Sequence, residues 1–172
     1  QQNYQFIEGF VSLLSSAIAH APKLVDAVPS AKFLGLICSS ENTYFLRSMQ
    51  AIEVPPTALA APETIEFQKL MGQARHSGRY EIMLSFLVVA EWIYIDWATP
   101  FRNRANDLPF WLGEWITLHS DDGFAQVVAY LRDQLDATWD TLDTAAQMDI
   151  TETITRAIML ECKFFDASWA GF

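Results

Sequence analysis

The feature that most constrains the fold is the spacing of the apolar residues, which recur every three or four positions over long stretches. Pro and Gly residues separate these stretches, and runs that alternate apolar and polar residues are absent. A period near 3.6 residues is typical of helices with one apolar face, whereas half-buried strands alternate. The sequence therefore predicts an all-α fold. No repeat, low-complexity tract or linker divides residues 1–172, so we expect one helical domain.

Capping residues and breaks place the predicted helices along the chain. Pro29-Ser30, Ser77-Gly78, Pro100 and Ser120-Asp121-Asp122 are start or stop signals, and Arg102–Asp107 is expected to be a polar loop. The predicted helices span about Asn3–His20, Ser30–Ala51, Pro62–His76, Tyr80–Ala98, Pro109–His119, 122–142 and Ala145–Trp169. The helix that begins at Tyr80 is apolar nearly all round, so it is expected at the centre of the bundle.

Charge and composition exclude several classes of partner. The chain has 11 Lys and Arg against 21 Asp and Glu, a formal charge of −10. Nucleic-acid binding needs a basic surface that this chain lacks, and an acidic chain is not attracted to anionic membranes. The apolar run Ile82–Ala90 is shorter than a membrane span, and no secretory signal is evident, so we expect a cytoplasmic protein. Cys38 and Cys162 are expected to be reduced thiols that fill the core.

Glu161 is the most informative residue of the last predicted helix. The apolar stripe of this helix runs through Ile150, Ile154, Ala157/Ile158, Phe165 and Ser168, and Glu161 lies on it. A buried carboxylate is costly unless it is paired or faces a polar cavity, and burial raises its pKa, which suits a general acid or base. The alternative is a structural carboxylate bonded to a buried tyrosine or to a helix end.

The central predicted helix contains a second exception of the same kind. Glu91 and Tyr94 share a face with Leu84 and Leu87 on a helix that is otherwise core. Two carboxylates on two central helices could hold an amine or amidine by charge-assisted hydrogen bonds. The alternative is a buried network that fixes the register of the helices.

Motifs for metals, nucleotides and serine nucleophiles are absent. His20, His76 and His119 have no mutual spacing suited to a metal, and there is no H-E-x-x-H, P-loop, Rossmann or G-x-S-x-G motif. Neither a metal nor a cofactor is therefore expected. Aromatics such as Tyr4 and Trp115 could wall a flat heterocycle, or they could be ordinary core residues.

Three segments together resemble the TenA/THI-4 family, the thiaminase II-type aminopyrimidine hydrolases of the haem-oxygenase-like fold. They are the closing stretch L-E-C-K-F-F-D-A-S-W of residues 160–169, the stretch from Gly78 to Tyr94, and the opening Q-Q-N-Y. The resemblance implies that Glu161 is the catalytic acid/base. It also implies that Tyr94, Gln2 and the aromatic residues Phe67, Trp115 and Phe165 bind the substrate.

The chain departs from the family pattern at two functional positions. Ala90 stands where many members have a nucleophilic Cys, so covalent attack by a thiolate cannot occur there. The E-x-x-Y of Glu91 and Tyr94 is similar to a branch that uses a Glu instead, which implies a catalytic role for Glu91. Gln2 stands where members have an Asp that anchors the pyrimidine. Members also usually carry a further N-terminal helix before this point, which is not found here.

The resemblance implies a hydrolase for a small aminopyrimidine-like breakdown product of thiamin, based on Glu rather than Cys. The alternative is a non-catalytic binding protein for a small heterocycle. Haem degradation on the same fold would need an axial His facing the pocket, and His20 lies at the far end of its helix. The resemblance also implies a homo-oligomer, a tetramer or a dimer, and the large apolar content is compatible with it.

Overall fold

The computed structural model describes residues 1–171, and all regular secondary structure in that part of the chain is helical, as predicted. The helices in chain order are α1 (Gln2–His20), α2 (Leu24–Leu36), a π-helical turn (Ile37–Glu41), α3 (Asn42–Ala51), α4 (Pro62–His76), α5 (Tyr80–Ala98), a 3₁₀ segment (Thr99–Asp107), α6 (Phe110–Leu118), α7 (Asp122–Trp139) and α8 (Thr144–Ala170). The predicted bounds of α4 and α5 are confirmed.

Helix α5 is the centre of the molecule, and it packs against α1, α4, α7 and α8. Its first half is buried on every side, because apolar residues there are not restricted to one face. Gly78 stops α4 with a φ of 66°, a left-handed conformation that costs glycine little. Asp121 accepts a hydrogen bond from the backbone N–H of Phe124 at 2.6 Å and so caps α7 as predicted.

Two predictions on the second helix are wrong. The helix begins at Leu24 rather than at Ser30, and Pro29 lies inside it. Proline lacks the N–H that a helix interior needs, so the local signal favours a boundary. Tertiary packing outweighs that signal, because Ala27, Ser30 and Phe33 on both sides of the proline are buried.

The polar stretch Arg102–Asp107, predicted to be a loop, is instead part of the 3₁₀ segment.

The π-helical turn joins α2 to α3 without a break. The backbone N–H of Asn42 bonds to the carbonyl of Ile37, five residues earlier. Such i→i+5 turns wind the chain more slowly than an α-helix, and they occur often at functional sites. Ser39 donates its hydroxyl to the Gly35 carbonyl at 2.6 Å, a side-chain bond that competes with the regular helical pattern.

The buried stripe of α8 is shifted from the predicted one. The buried residues are Ile150, Thr153, Ala157, Glu161 and Phe164. Their steps of three and four residues are those of a seam between packed helices. Ile158, expected inside, is 44% exposed. Glu161 belongs to both stripes, so the prediction that it lies inside the bundle is confirmed.

Within residues 1–171, one segment is long and apolar enough to span a membrane, which the expectation from the run Ile82–Ala90 missed. It is Tyr80–Asp107, which joins α5 to the 3₁₀ segment. In its most apolar window 61% of the residues are buried against the rest of the protein. The central helix of a helical bundle meets the same criteria of length and composition, so this is weak evidence for a membrane span.

Candidate active site

A cavity of about 50 Å³ lies beside the second half of α5. That space corresponds to about four water molecules. The lining side chains come from α1, from the continuous α2–π–α3 helix, and from α4, α5, α6 and α8. They are Asn3, Phe6, Ile7, Phe10, Phe33, Ile37, Glu41, Phe45, Phe67, Phe86, Ala90, Glu91, Tyr94, Trp115, His119 and Glu161.

Five of the seven site residues predicted from the sequence line this one cavity. They are Glu161, Glu91, Tyr94, Phe67 and Trp115. The carboxyl groups of Glu161 and Glu91 and the phenol of Tyr94 therefore share one compartment. Gln2 and Phe165 are not among the lining residues. Phe165 lies directly behind the wall, with its ring centroid 6.0 Å from that of Tyr94.

The carboxylates of Glu91 and Glu161 are buried without a protein partner. Glu91 is 8% exposed and Glu161 is 3% exposed. Among residues 1–171, neither makes a hydrogen bond or an ion pair, so neither alternative proposed from the sequence is realised: no tyrosine, helix end or hydrogen-bonded network holds them. Buried polar groups normally have partners. Two that face a cavity instead are available to a ligand.

Sequence reasoning missed a third carboxylate, that of Glu41 on the π-helical turn. It lines the same cavity and likewise makes no hydrogen bond or ion pair within the described residues. Phe33, Ile37, Glu41 and Phe45 all reach the cavity although they are four residues apart, a spacing that drifts by about 40° per step in a regular α-helix. The slower winding of the π turn offsets this drift. The repeated four-residue spacing was the signal available in the sequence.

Burial raises the pKa of each of the three carboxyl groups. It raises the pKa of Glu161 to about 8 and that of Glu41 to about 7. The pKa of Glu91 lies well above its ordinary value because of burial and, next, the nearby charges of Glu41 and Glu161. No Lys or Arg lines the cavity to offset them. Glu91 and Glu161 are therefore mostly protonated at neutral pH, and a cationic ligand, or one rich in hydrogen-bond donors, would favour the ionised carboxylates.

Tyr94 is oriented by a residue of α1. Its hydroxyl donates a hydrogen bond to Asn3 Oδ1 at 3.2 Å, which ties α5 to α1 across the cavity. Burial and the charge of Glu161 hold the pKa of Tyr94 well above its ordinary range, so the phenol keeps its proton. Tyr94 is therefore a neutral donor, and it cannot act as a base near neutral pH.

His119 is a neutral acceptor at the edge of the cavity. Its Nδ1–H donates to the Trp115 carbonyl at 2.8 Å, which leaves Nε2 with a free lone pair. Burial lowers its pKa to about 4. The ring lies 5.0 Å from that of Tyr94, centroid to centroid. The indole N–H of Trp115, which also lines the cavity, is buried without an acceptor among residues 1–171.

Gln2 has a structural position instead of facing the cavity. Its Oε1 accepts hydrogen bonds from the backbone N–H of Ala61 at 2.9 Å and the Thr64 hydroxyl at 2.7 Å. Its Nε2 donates to the Leu59 carbonyl at 3.1 Å. Gln2 thus fastens the start of α4 to α1. The neighbouring Asn3 is the residue of this opening segment that reaches the cavity.

Neither cysteine belongs to the site. Cys38 and Cys162 are free thiols, but both are exposed, so the expectation that they fill the core is wrong. The methyl group of Ala90 lines the cavity, and no thiol does. Within residues 1–171, no three His, Cys, Asp or Glu side chains are arranged to hold a metal ion.

No protein-family model matches the chain, and no curated protein matches it. What the site can do therefore follows from its own residues. Aromatic rings form the walls, and three carboxyl groups, a phenol, a histidine and an amide supply polar contacts. Such a site can bind a small flat ring with amino substituents. It can also supply a proton to a leaving group and accept one from water.

Proposed function

We propose that this protein is a TenA-like hydrolase that cleaves a C–N bond of a small aminopyrimidine formed by breakdown of thiamin. The observation that carries the proposal is the cavity in which Glu41, Glu91 and Glu161 are buried among aromatic rings without protein partners. An aminopyrimidine offers amino groups to the carboxylates and a flat ring to the aromatic walls. We further propose the haem-oxygenase-like fold and a cytoplasmic location.

Glu161 is the acid of the proposed reaction. Since its pKa is about 8, it carries a proton at neutral pH, and it can pass that proton to the departing amine. Glu91 lines the same cavity and binds the substrate amine or directs the attacking water. Tyr94 donates a hydrogen bond, and Phe67 and Trp115 contact the ring. No metal or cofactor takes part in this scheme.

Because Ala90 supplies no nucleophile, we expect the reaction to be limited to amine or amide leaving groups that an acid can protonate. Expulsion of the thiazolium ring of thiamin calls for a strong nucleophile at the methylene carbon, and the side chain at this position is a methyl group. Cys38 and Cys162 are exposed and cannot replace it. We therefore expect hydrolysis of an aminomethyl- or formylaminomethyl-pyrimidine, with little activity on thiamin.

The test of the hydrolase is turnover of these substrates by purified variants. Glu161→Gln keeps the shape of the side chain and loses the proton, so kcat should fall by about 10²- to 10⁴-fold. Glu8→Gln, the same change at an exposed position of α1, and Cys162→Ser should leave kcat unchanged. Robust cleavage of thiamin, or full activity in Glu161→Gln, would place the chemistry on other residues.

A non-catalytic binding protein is the second candidate. Two residues of the cavity wall favour it: Ala90 supplies no nucleophile, and Asn3, which accepts a hydrogen bond from Tyr94, supplies no charge. Binding of an aminopyrimidine that Glu161→Gln weakens, with no product formed over hours, would support binding without hydrolysis. Product formation by the unaltered protein would reject it.

We also propose that the protein is a homo-oligomer, a tetramer or a dimer. Several large apolar side chains are more than half exposed in the single chain, more than isolated surface residues would explain. They are Leu24, Val25, Leu36, Leu59, Met148, Met159 and Trp169. Light scattering at micromolar concentration should give a multiple of 19.5 kDa, and a monomer would reject the proposal.

A further inference from the structure

The three carboxyl groups of the cavity differ in their access to water. Glu91 and Glu161 are buried, whereas Glu41 is half-buried on the π-helical turn. A residue that takes up a proton in each turnover must afterwards release it. Among the three, Glu41 is the one that lines the cavity and is also partly exposed to solvent.

We propose that Glu41 is the proton acceptor of this cavity, the carboxylate that ionises when a cationic ligand enters and that takes a proton from the attacking water. This inference rests in part on the proposed hydrolase, and it adds to that function the residue that activates water. The backbone supports the assignment, because the π turn holds Glu41 on the same face as Phe33, Ile37 and Phe45.

The reaction then balances with one water molecule as the co-reactant. The bound ammonium first loses a proton to solvent, so that the reacting group is the neutral amine. The water oxygen then forms a bond to the aminomethyl carbon while the C–N bond breaks, and the bonding pair leaves with nitrogen. Glu41 takes a proton from the water, and protonated Glu161 gives its proton to the departing amine. The products are a hydroxymethylpyrimidine and ammonia. Glu41 afterwards releases its proton to solvent, and Glu161 takes one up.

The titratable groups near Glu41 are consistent with its assignment over Glu91. The titratable or charged groups around the cavity and on α3 are Tyr44, Arg47, Glu91, Tyr94, His119 and Glu161, and Arg47 is paired with Glu114 of α6. The phenol of Tyr94 keeps its proton, and His119 is neutral near pH 7. Glu91 lies under the charges of both other carboxylates, which disfavours its ionisation. Burial raises the pKa of Glu41 only to about 7, so Glu41 ionises first.

The first test is the pH dependence of kcat/KM for an aminomethylpyrimidine. The unaltered protein should show a bell whose rising limb lies near pH 7, from Glu41, and whose falling limb lies near pH 8, from Glu161. Glu41→Gln should lose the rising limb and at least about 100-fold in kcat. Glu41→Asp should recover part of the activity and keep the limb. Ser40→Ala, an exposed change on the same turn, is the matched control.

The second test measures protons released on binding and does not require turnover. Calorimetric titration at pH 6 in buffers of different ionisation enthalpy counts them. Glu41 is mostly protonated at that pH, so binding of the cationic aminomethylpyrimidine should release about one proton. Glu41→Gln should abolish the release. Thermal melting of each variant checks that it is folded.

The two tests separate the two proposals. If the protein hydrolyses the substrate and Glu41→Gln keeps both kcat and the rising limb, Glu41 is not the acceptor although the hydrolase stands. If no hydrolysis occurs but Glu41→Gln abolishes proton release, the hydrolase fails and Glu41 remains the group that ionises on binding. Proton release unchanged in Glu41→Gln would overturn the assignment in either case.

Discussion

Both halves of α5 are central in the molecule, but they differ in whether their buried polar side chains have hydrogen-bond partners. In the first half, the hydroxyl of Ser85 is fully buried and donates to the Glu81 carbonyl at 2.6 Å. In the second half, the carboxyl group of Glu91 is buried and has no partner within the described residues. The first half is arranged for stability. The second half gives up stability to keep groups available to a ligand, a common trade-off at active sites.

The largest loss of stability should come from a cavity in the first half. Leu84 is fully buried at the centre of the bundle. Leu84→Ala should lower the free energy of unfolding by about 2–5 kcal/mol, because the surroundings relax only partly around the deleted atoms. Denaturant melts measure this change. A loss below about 1 kcal/mol would show that the first half is not tightly packed.

Removal of a carboxyl group from the second half should have the opposite sign. The folded state holds the proton of Glu161 up to about pH 8, whereas an unfolded chain loses it near 4.5. Glu161→Gln removes this penalty, so at pH 8 the free energy of unfolding should rise by roughly 1–4 kcal/mol. Glu8→Gln should change it by less than about 0.5 kcal/mol, because that residue is exposed.

The sequence allowed some residues of the site to be assigned and not others. Glu161, Glu91 and Tyr94 were predictable, because the regular α-helical spacing fixes which face each residue occupies. Glu41 was not, because the four-residue spacing from Phe33 to Phe45 puts these residues on one face only where the chain makes a π turn, and the spacing does not itself specify that turn. Pro29 misled for a related reason: its local preference for a helix boundary is outweighed by packing on both sides of it.

Two further outcomes have a similar explanation. Gln2 and Asn3 are adjacent, and only the packing of α1 against α4 decides that Gln2 bonds to Ala61 while Asn3 faces the cavity. Phe164 and Phe165 are adjacent as well, and the buried seam of α8 selects Phe164. Single-residue choices of this kind depend on the position of a neighbouring helix, which periodicity does not give.

The unaltered protein should lose stability as pH rises from 6.5 to 8. The carboxyl groups of the cavity have raised pKa values, so the folded state binds more protons than the unfolded state in this range. His119, with its pKa lowered to about 4, acts in the opposite direction but only below pH 6.5. Each of the three groups contributes up to about 1.4 kcal/mol per pH unit, so we expect a decrease of about 2–4 kcal/mol per pH unit. Glu91→Gln/Glu161→Gln keeps only Glu41, so its decrease should be smaller, below about 1 kcal/mol per pH unit.

The smallest effect should come from the buried hydroxyl of the first half. Ser85→Ala removes both the hydroxyl and its need for a partner, and alanine favours the helix more than serine does. The free energy of unfolding should therefore change by less than about 1 kcal/mol. A loss above about 2 kcal/mol would mean that Ser85 has a partner beyond its own helix, and that the halves of α5 differ less than described.

The central claim is that the carboxyl groups of the cavity are held without protein partners so that a ligand can bind them. The most direct measurement is a ¹³C NMR titration of the glutamate side-chain carboxyl groups, with and without an aminomethylpyrimidine. Without ligand, Glu41 and Glu161 should titrate near pH 7 and 8, and the cationic ligand should lower both midpoints. Midpoints near 4.5 without ligand, or midpoints that the ligand leaves unchanged, would contradict the claim.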